Sequence, residues 1–584
     1  MSDVLFKKVD YTVNKLLEDI DIGNIGLPDI QRPFVWPRSK VRDLFDSMYR
    51  GFPIGYLLFW ENGLSGGYHT IGTETKQKIP NLLIVDGQQR LTALYAVMRG
   101  KPIVDHNFNE VPIHLAFNPL EERFEVTNAA IEQNPEWLSD ISALWASSTV
   151  QYNLIQQFIN RLGGKRPLSE EERARIYQAI TRLVDLKNYP LTSLEISSTV
   201  DEEQVSEIFV RINSQGALLK QADFILTLMS VFWEEGRKEL EDFCRAARNP
   251  ASDYQPSPYN PYLQPEPGQL LRTSVALGFR RTSLEYVYLL LRGKDLQTRE
   301  FSEQKRDEQF DILRRAQSEV LDLTNWHDFF KVLQRAGYVH PGLITSERTV
   351  LFTYALWLIG RRDFHVNDYM LREVMAQWLF MALLTARYTA SEGRLEQDLD
   401  LLRHVATPEE FLRVWKQQME AVLTPDYWGA TLPNDLVTAG ARTTGQSAFY
   451  ASLCILDAPV LYSKLRVRDL LNPSVHTRKA ALERHHLFPR RYLQKIGIQE
   501  LNTINQVANY TLVEWADNIA ISDRSPEVYA PQMEQRFTPE ELDRMYRMHG
   551  LPEQWYRMPY PVFLEERRKR IAAIIRRGFE HLQG

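Results

Sequence analysis

Cysteine is almost missing from this chain. Its 584 residues carry two, Cys244 and Cys454, far apart and each alone. That excludes a disulfide framework and a cysteine zinc knuckle, both of which need clustered thiols. Long apolar runs are missing too. None approaches the roughly 20 residues that span a bilayer, and the opening Met1-Ser2-Asp3-Val4-Leu5-Phe6-Lys7-Lys8 lacks a signal-peptide hydrophobic region. A cytoplasmic protein with no membrane partner is the expectation. The third absence is an excess of positive charge. The net charge is −6 and the pI about 6.1. Nucleic acid is therefore not bound through bulk charge, and any DNA contact needs basic residues gathered locally.

What is present fits a soluble globular protein: 44% hydrophobic and 25% charged residues. At this length roughly two to four domains are expected, and the sequence has no internal repeat. The reading divides the chain into residues 1–230, 231–430 and 431–584. Early in the first segment, Ser39 is a helix N-cap for Lys40 to Arg50, with Gly51 beyond its end. Val41, Leu44, Phe45 and Met48 give that helix one apolar face. Gly55 to Trp60 and Leu82 to Val85 read as strands, and Leu91 to Met98 as a helix closed by Gly100. The segment is α+β. Further on, Glu170 to Leu186, Val205 to Glu235 and Leu371 to Ala386 carry helical periodicity. Asn249 to Gly268 holds six prolines and no regular helix; it is either a loop packed by its tyrosines or a mobile segment. Thr431 to Asp435 breaks the helical pattern.

Two motifs carry chemistry. The first, Asp86-Gly87-Gln88-Gln89-Arg90, lies between a buried strand and a helix start. Helix N-termini attract anions, Gly87 permits a close turn, and Arg90 can hold a phosphate with two hydrogen bonds. Asp86 could hold a metal-bound water or orient Arg90. An Asp-Gly turn with a surface arginine would read the same way. Gln31 and Arg32 precede Phe34 and Trp36, an arrangement suited to a stacked base or to a plain core edge. Arg211 and Asn213 place polar groups where a core helix would not, with Asp223 following.

The second motif is Glu483-Arg484-His485-His486-Leu487-Phe488-Pro489, followed by Asn509 and Asn518. Adjacent imidazoles and later amides can build a compact one-metal nuclease site, in which a neutral imidazole deprotonates water. Neighbouring strand residues face opposite ways, so a turn or bulge is needed if both histidines serve one site. Val507 to Val513 reads as a strand and Trp515 as a helix start. Arg484, Arg490 and Arg491 flank the histidines. Arg567, Arg568, Lys569, Arg570, Arg576 and Arg577 form a basic C-terminal helix, either a solvated face or a DNA contact. The single histidines His327, His365 and His404 read as structural.

In order, Gln31-Arg32-Pro33, Gly51-Phe52-Pro53-Ile54-Gly55, Asp86 to Arg90 and Phe209 to Gly216 resemble the N-terminal domain of the GmrSD family of modification-dependent restriction enzymes. The resemblance implies a ParB/sulfiredoxin-like α/β domain that binds and hydrolyses a nucleoside triphosphate (GTP, UTP, CTP or ATP). It implies a nucleotide site at Asp86, Gly87, Gln88, Gln89 and Arg90, with Gln31, Arg32, Arg211, Asn213 and Asp223 nearby. The family has Ser-Gly-Gly where this chain has Ser214-Gln215-Gly216. The C-terminal block, with Ser525-Pro526-Glu527-Val528-Tyr529, resembles the family's ββα-metal HNH, or His-Me finger, nuclease domain. That implies His486 as general base, His485 and Asn518 on a divalent metal, and Asn509 as the brace. Many such sites have Asp where His485 stands. Imidazole suits a softer ion, so Mn²⁺ is expected to serve better than Mg²⁺. The expected fold is α+β: the ParB-like domain, a largely helical middle and the HNH domain. The implied partner is modified double-stranded DNA, and a homodimer is an expectation. Rival readings are a phosphorothioate-sensing nickase with a hydrophobic cleft at Phe34 and Trp36, and a nucleotide-gated DNA-binding module without cleavage.

Overall fold

The computed structural model describes residues 5–28, 34, 36–61, 68–69, 81–104, 110–200, 221–250, 255–294, 302–389, 393–438, 443–472 and 482–584. The protein is mixed α+β and mostly helical. It divides into two compact units, Met1–Arg237 and Lys238–Gly584.

The first unit is built on a mixed six-stranded sheet. Its strands are β1 (Phe6–Thr12), β2 (Ile25–Pro28), β3 (Leu57–Glu61), β4 (Tyr68–His69), β5 (Leu82–Asp86) and β10 (Pro190–Ile196), in the order β1-β10-β3-β5-β2-β4. Two small hairpins lie between, β6 (Ile103–Val104) with β7 (Glu110–Val111), and β8 (Leu115–Asn118) with β9 (Arg123–Val126). The uninterrupted apolar runs of β3 and β5 have a plain cause: both of their faces are buried. Leu57, Phe59, Leu82 and Ile84 join a large core with the helices α1 (Val13–Asp21), α2 (Arg38–Tyr49) and α3 (Gln88–Arg99). The alternate residues Leu58, Trp60, Leu83 and Val85 pack with Ile196 and Val200 on the other side.

Several element boundaries differ from the sequence reading. Helix α2 starts at Arg38, because Pro37, with φ −63, supplies the extended N-cap, and Ser39 falls inside the first turn without capping it. Its buried face of Val41, Leu44, Phe45 and Met48 is as expected. Helix α3 starts immediately after Gly87, so Gln88, Gln89 and Arg90 form its first turn and do not precede it. Strand β3 begins at Leu57, since Gly55 at φ +91 turns the chain before pairing starts.

In the second unit, the helices Glu347–Arg362 and Asp368–Leu384 are buried almost all round and form the middle of a helical assembly. Trp326, Trp378 and Trp415 are completely buried within it. The proline-rich stretch is a pinned loop over its described part. Asn260 Oδ1 accepts from the backbone N–H groups of Tyr262 and Leu263, and Trp326 Nε1 donates to Pro258 O at 2.9 Å. Pro267 then opens the helix Pro267–Phe279, where its missing N–H costs nothing. The expected break at Thr431 to Asp435 is helical instead. A π-turn, Tyr427–Thr431, runs into Leu432–Asp435, and Pro433 is tolerated in that first turn.

Candidate active site

The histidine pair ends strand β11 (Leu482–His486), which pairs antiparallel with β12 (Tyr510–Glu514). The short helix Trp515–Ile521 follows at once. The local order is therefore strand, strand, helix. Val507–Asn509 is a 3₁₀ turn ahead of β12, so Asn509 stands outside the strand in which the sequence reading put it. Pairing runs without a shift from Leu482↔Glu514 to His486↔Tyr510. No bulge intervenes, and the two imidazoles leave the strand on opposite faces.

His485 is buried, and its ring edge meets Asn518 Oδ1 at 2.7 Å through Nδ1. An amide oxygen only accepts, so Nδ1 carries the hydrogen and Nε2 holds the lone pair. That Nε2 is buried without a hydrogen-bond partner. Burial pushes the His485 pKa down to about 4, against the raising effect of Asn518, and His486 adds to the depression. The ring is neutral near pH 7.

His486 is half-buried and lies against the Tyr510 ring, centroids 4.3 Å apart. Its Nε2–H donates to Asn505 Oδ1 at 3.0 Å, which leaves Nδ1 as the basic nitrogen. Burial lowers its pKa, Asn505 opposes this, and the charges of Arg484 and Arg490 lower it further. Asn505 Oδ1 also accepts from Tyr510 O–H at 3.0 Å. One amide oxygen thus fixes both rings. Sequence reasoning missed Asn505, whose only signal was an amide residue shortly ahead of the strand.

Asn509 is completely buried and ties the turn after the histidines to the turn before β12. Its Oδ1 accepts from Phe488 N at 2.8 Å, and its Nδ2 donates to Phe488 O at 3.1 Å and Ile504 O at 3.0 Å. Arg567 holds the same turn from the C-terminal helix Tyr560–His581. Its guanidinium donates to Ala508 O at 2.6 Å, Tyr510 O at 2.8 Å and His549 O at 3.1 Å. Arg567 is fully buried and so does not belong to a solvated or DNA-facing basic stripe. Lys569, Arg570 and Arg576 pair with Glu565, Glu566 and Glu580 along the helix, while Arg568 donates to Gln506 Oε1 and Arg577 to Arg547 O. Arg484, Arg490 and Arg491 are exposed beside the histidines.

A divalent cation fits part of this geometry. The buried lone pair of His485 Nε2 is a donor atom, and Asn518 orients its ring as an outer partner of a metal-bound histidine would. Among the described residues, no group of three or more His, Cys, Asp or Glu side chains could hold a metal. The remaining positions would fall to water and to ligand oxygens.

In the first unit, Gly87 (φ +90) caps α3 with no side-chain bond. Arg90 lies under the loop before β3. Its Nη1 donates to Ile54 O at 2.6 Å, and Nη2 is 3.6 Å from Asp86 Oδ2. The glycines make this close approach feasible. A Cβ at Gly55 would lie 2.5 Å from Arg90 Nη1, and one at Gly87 would lie 2.4 Å from Leu57 Cδ2. Burial lowers the Arg90 pKa and Asp86 opposes it. Gln88 and Gln89 are half-buried in the first turn. Gln31, Arg32, Arg211 and Asn213 lie outside the described residues. Asp223 falls on the helix Gln221–Phe232. Phe34 is buried in the core, and the Lys40 ammonium sits over the Trp36 ring at 4.5 Å. Phe34 therefore lines no open hydrophobic cleft.

Residues 13–230 match the family model "GmrSD restriction endonuclease, N-terminal domain". This match places the first unit's similarity with restriction endonucleases, a DNA-acting class. The chain is also 22% identical over 540 residues to the uncharacterized protein MJ0686 of Methanocaldococcus jannaschii, covering 88% of this chain and 84% of that protein. No helix among the described residues is long and apolar enough to cross a membrane.

Proposed function

We propose that this protein is a divalent-metal-dependent DNA endonuclease with nucleoside triphosphatase activity, which cuts modified foreign DNA in defence against phage. The observation that carries the nuclease reading is the pair of neutral imidazoles on a strand–strand–helix unit, each fixed by one amide and each left with one basic nitrogen. The match of residues 13–230 to a restriction-endonuclease domain supports it independently.

In this reading His486 Nδ1 takes the proton from the water that attacks the scissile phosphorus. Its depressed pKa keeps it unprotonated and ready at neutral pH. Asn505 holds the ring through Nε2, and Asn509 keeps the turn that sets its direction. The two rings leave β11 on opposite faces, so a shared site lies at the end of the strand, where the chain turns after His486; there His485 Nε2 would hold Mn²⁺ or Mg²⁺, with Asn518 orienting the ring. The bound cation would supply charge stabilisation at the phosphate. Exposed Arg484, Arg490 and Arg491 provide the local positive charge that an acidic protein needs to hold a DNA backbone.

The first unit binds and hydrolyses the triphosphate in this reading. The N–H groups of the first turn of α3 and the Arg90 guanidinium face the phosphates, and Asp86 orients Arg90. Hydroxymethylated or glucosylated cytosine is the mark read. Purified protein with Mn²⁺ or Mg²⁺, with and without GTP, UTP, CTP and ATP, is tested on matched unmodified, hydroxymethylated, glucosylated and phosphorothioate DNAs. Cleavage confined to a cytosine modification is expected. A response to phosphorothioate alone would replace the mark, and no cutting of any DNA would sink the nuclease reading.

A further inference from the structure

The loop from Gly51 to Tyr56, between α2 and β3, exposes two aromatic rings. Phe52 is 56% exposed and Tyr56 65%. Single exposed aromatics are commonplace, but the backbone beneath these two is held at three points. Phe52 N donates to Ser47 O at 2.8 Å, Tyr189 O–H donates to Phe52 O at 2.6 Å, and Arg90 Nη1 donates to Ile54 O at 2.6 Å. Gly51 at φ +76 and Gly55 at φ +91 set its turns. The fold fixes the loop and buries neither ring. The group that pins its centre is the guanidinium assigned above to a triphosphate.

We propose that Phe52 and Tyr56 form the nucleobase-stacking rim of that site, taking the base of a nucleoside triphosphate whose phosphates lie toward Arg90 and the start of α3. This inference rests on the nucleotide reading. A rigid loop loses little entropy on binding. Stacking uses the π face common to all bases, so such a rim accepts several nucleotides with similar affinity. A hydrogen-bonding pocket would discriminate among them.

The test titrates GTP, UTP and inorganic tripolyphosphate by calorimetry into wild type, Tyr56→Ala, Tyr56→Phe and Phe52→Ala, all as full-length chains. Tyr56→Ala is expected to weaken both nucleotides about 10- to 100-fold and leave tripolyphosphate unchanged. Tyr56→Phe should keep wild-type affinity, because it keeps the ring. Equal weakening of all three ligands, or of none, would overturn the stacking role. So would a loss confined to single-stranded DNA measured in parallel. If wild type bound neither the nucleotides nor tripolyphosphate, the nucleotide reading itself would fall. Binding by wild type with no effect of Tyr56→Ala or Phe52→Ala would remove only the rim.

Discussion

At the scale of single residues, the proposed cleavage depends on which nitrogen of each imidazole keeps its lone pair. Asn518 and Asn505 make that choice for His485 and His486. His486→Ala should lower metal-dependent cleavage by about 10²- to 10⁴-fold in single-turnover assays, the span general bases usually contribute. Unchanged cleavage would remove His486 from that role. Asn505→Leu should cost about 10- to 100-fold, as other ring-orienting partners do, whereas Asn505→Asp keeps an acceptor and should retain more activity. A Leu variant as active as wild type would show that the Asn505 contact does not matter. Gly55→Ala tests the other unit. The new Cβ would meet Arg90 Nη1, at a positive φ that L-residues rarely adopt. The substitution should destabilise the first unit by roughly 1–3 kcal/mol in urea unfolding and lower nucleotide hydrolysis.

At the scale of elements, the C-terminal helix is more than a basic surface. Arg567 reaches from it to two backbone carbonyls flanking Asn509, those of Ala508 and Tyr510, and to the carbonyl of His549. Replacing it with Met leaves those acceptors buried and unpaired. Each such group costs about 1–3 kcal/mol, so a large loss of thermal stability is expected. Arg576→Ala removes only an exposed pair with Glu580 and should cost no more than about 1 kcal/mol. Scanning calorimetry of the two variants separates strut from surface; equal effects would contradict the difference. A helix at the basic run Arg567 to Arg577 was readable, but the buried role of Arg567 was not. A charged residue's partners here are main-chain carbonyls some 20 to 60 residues distant, and main-chain groups leave no signature in side-chain pattern.

At the scale of the whole molecule, acid is the expected weakness. His549 is completely buried between Thr511 and the Pro459 carbonyl, and burial pushes its pKa down to about 4. Above the unfolded value near 6.5 both states hold the ring neutral. Between the two values the unfolded chain binds the extra proton, so stability falls as pH falls from about 6.5 to about 4. The slope contributed by this one site approaches 1.4 kcal/mol per pH unit. His549→Gln should flatten that part of a stability–pH curve measured by denaturant; an unaltered slope would mean that His549 does not titrate on unfolding.

By itself the sequence determined the mixed α+β class, the strands at Leu58 and Leu83 and the apolar face of α2, and it singled out the two motifs on which the proposed chemistry rests. Apolar periodicity and Gly, Pro and Asn punctuation are local properties, and local properties survive in one dimension. Only the tertiary structure decided that His485 and His486 face apart, that Asn505 holds His486, that Arg90 is pinned to Ile54 and that Arg567 is a buried strut. Each of these rests on a hydrogen bond between elements, or on burial that creates the need for one. Such partners are chosen by packing, so the sequence names the residues and the fold assigns their bonds.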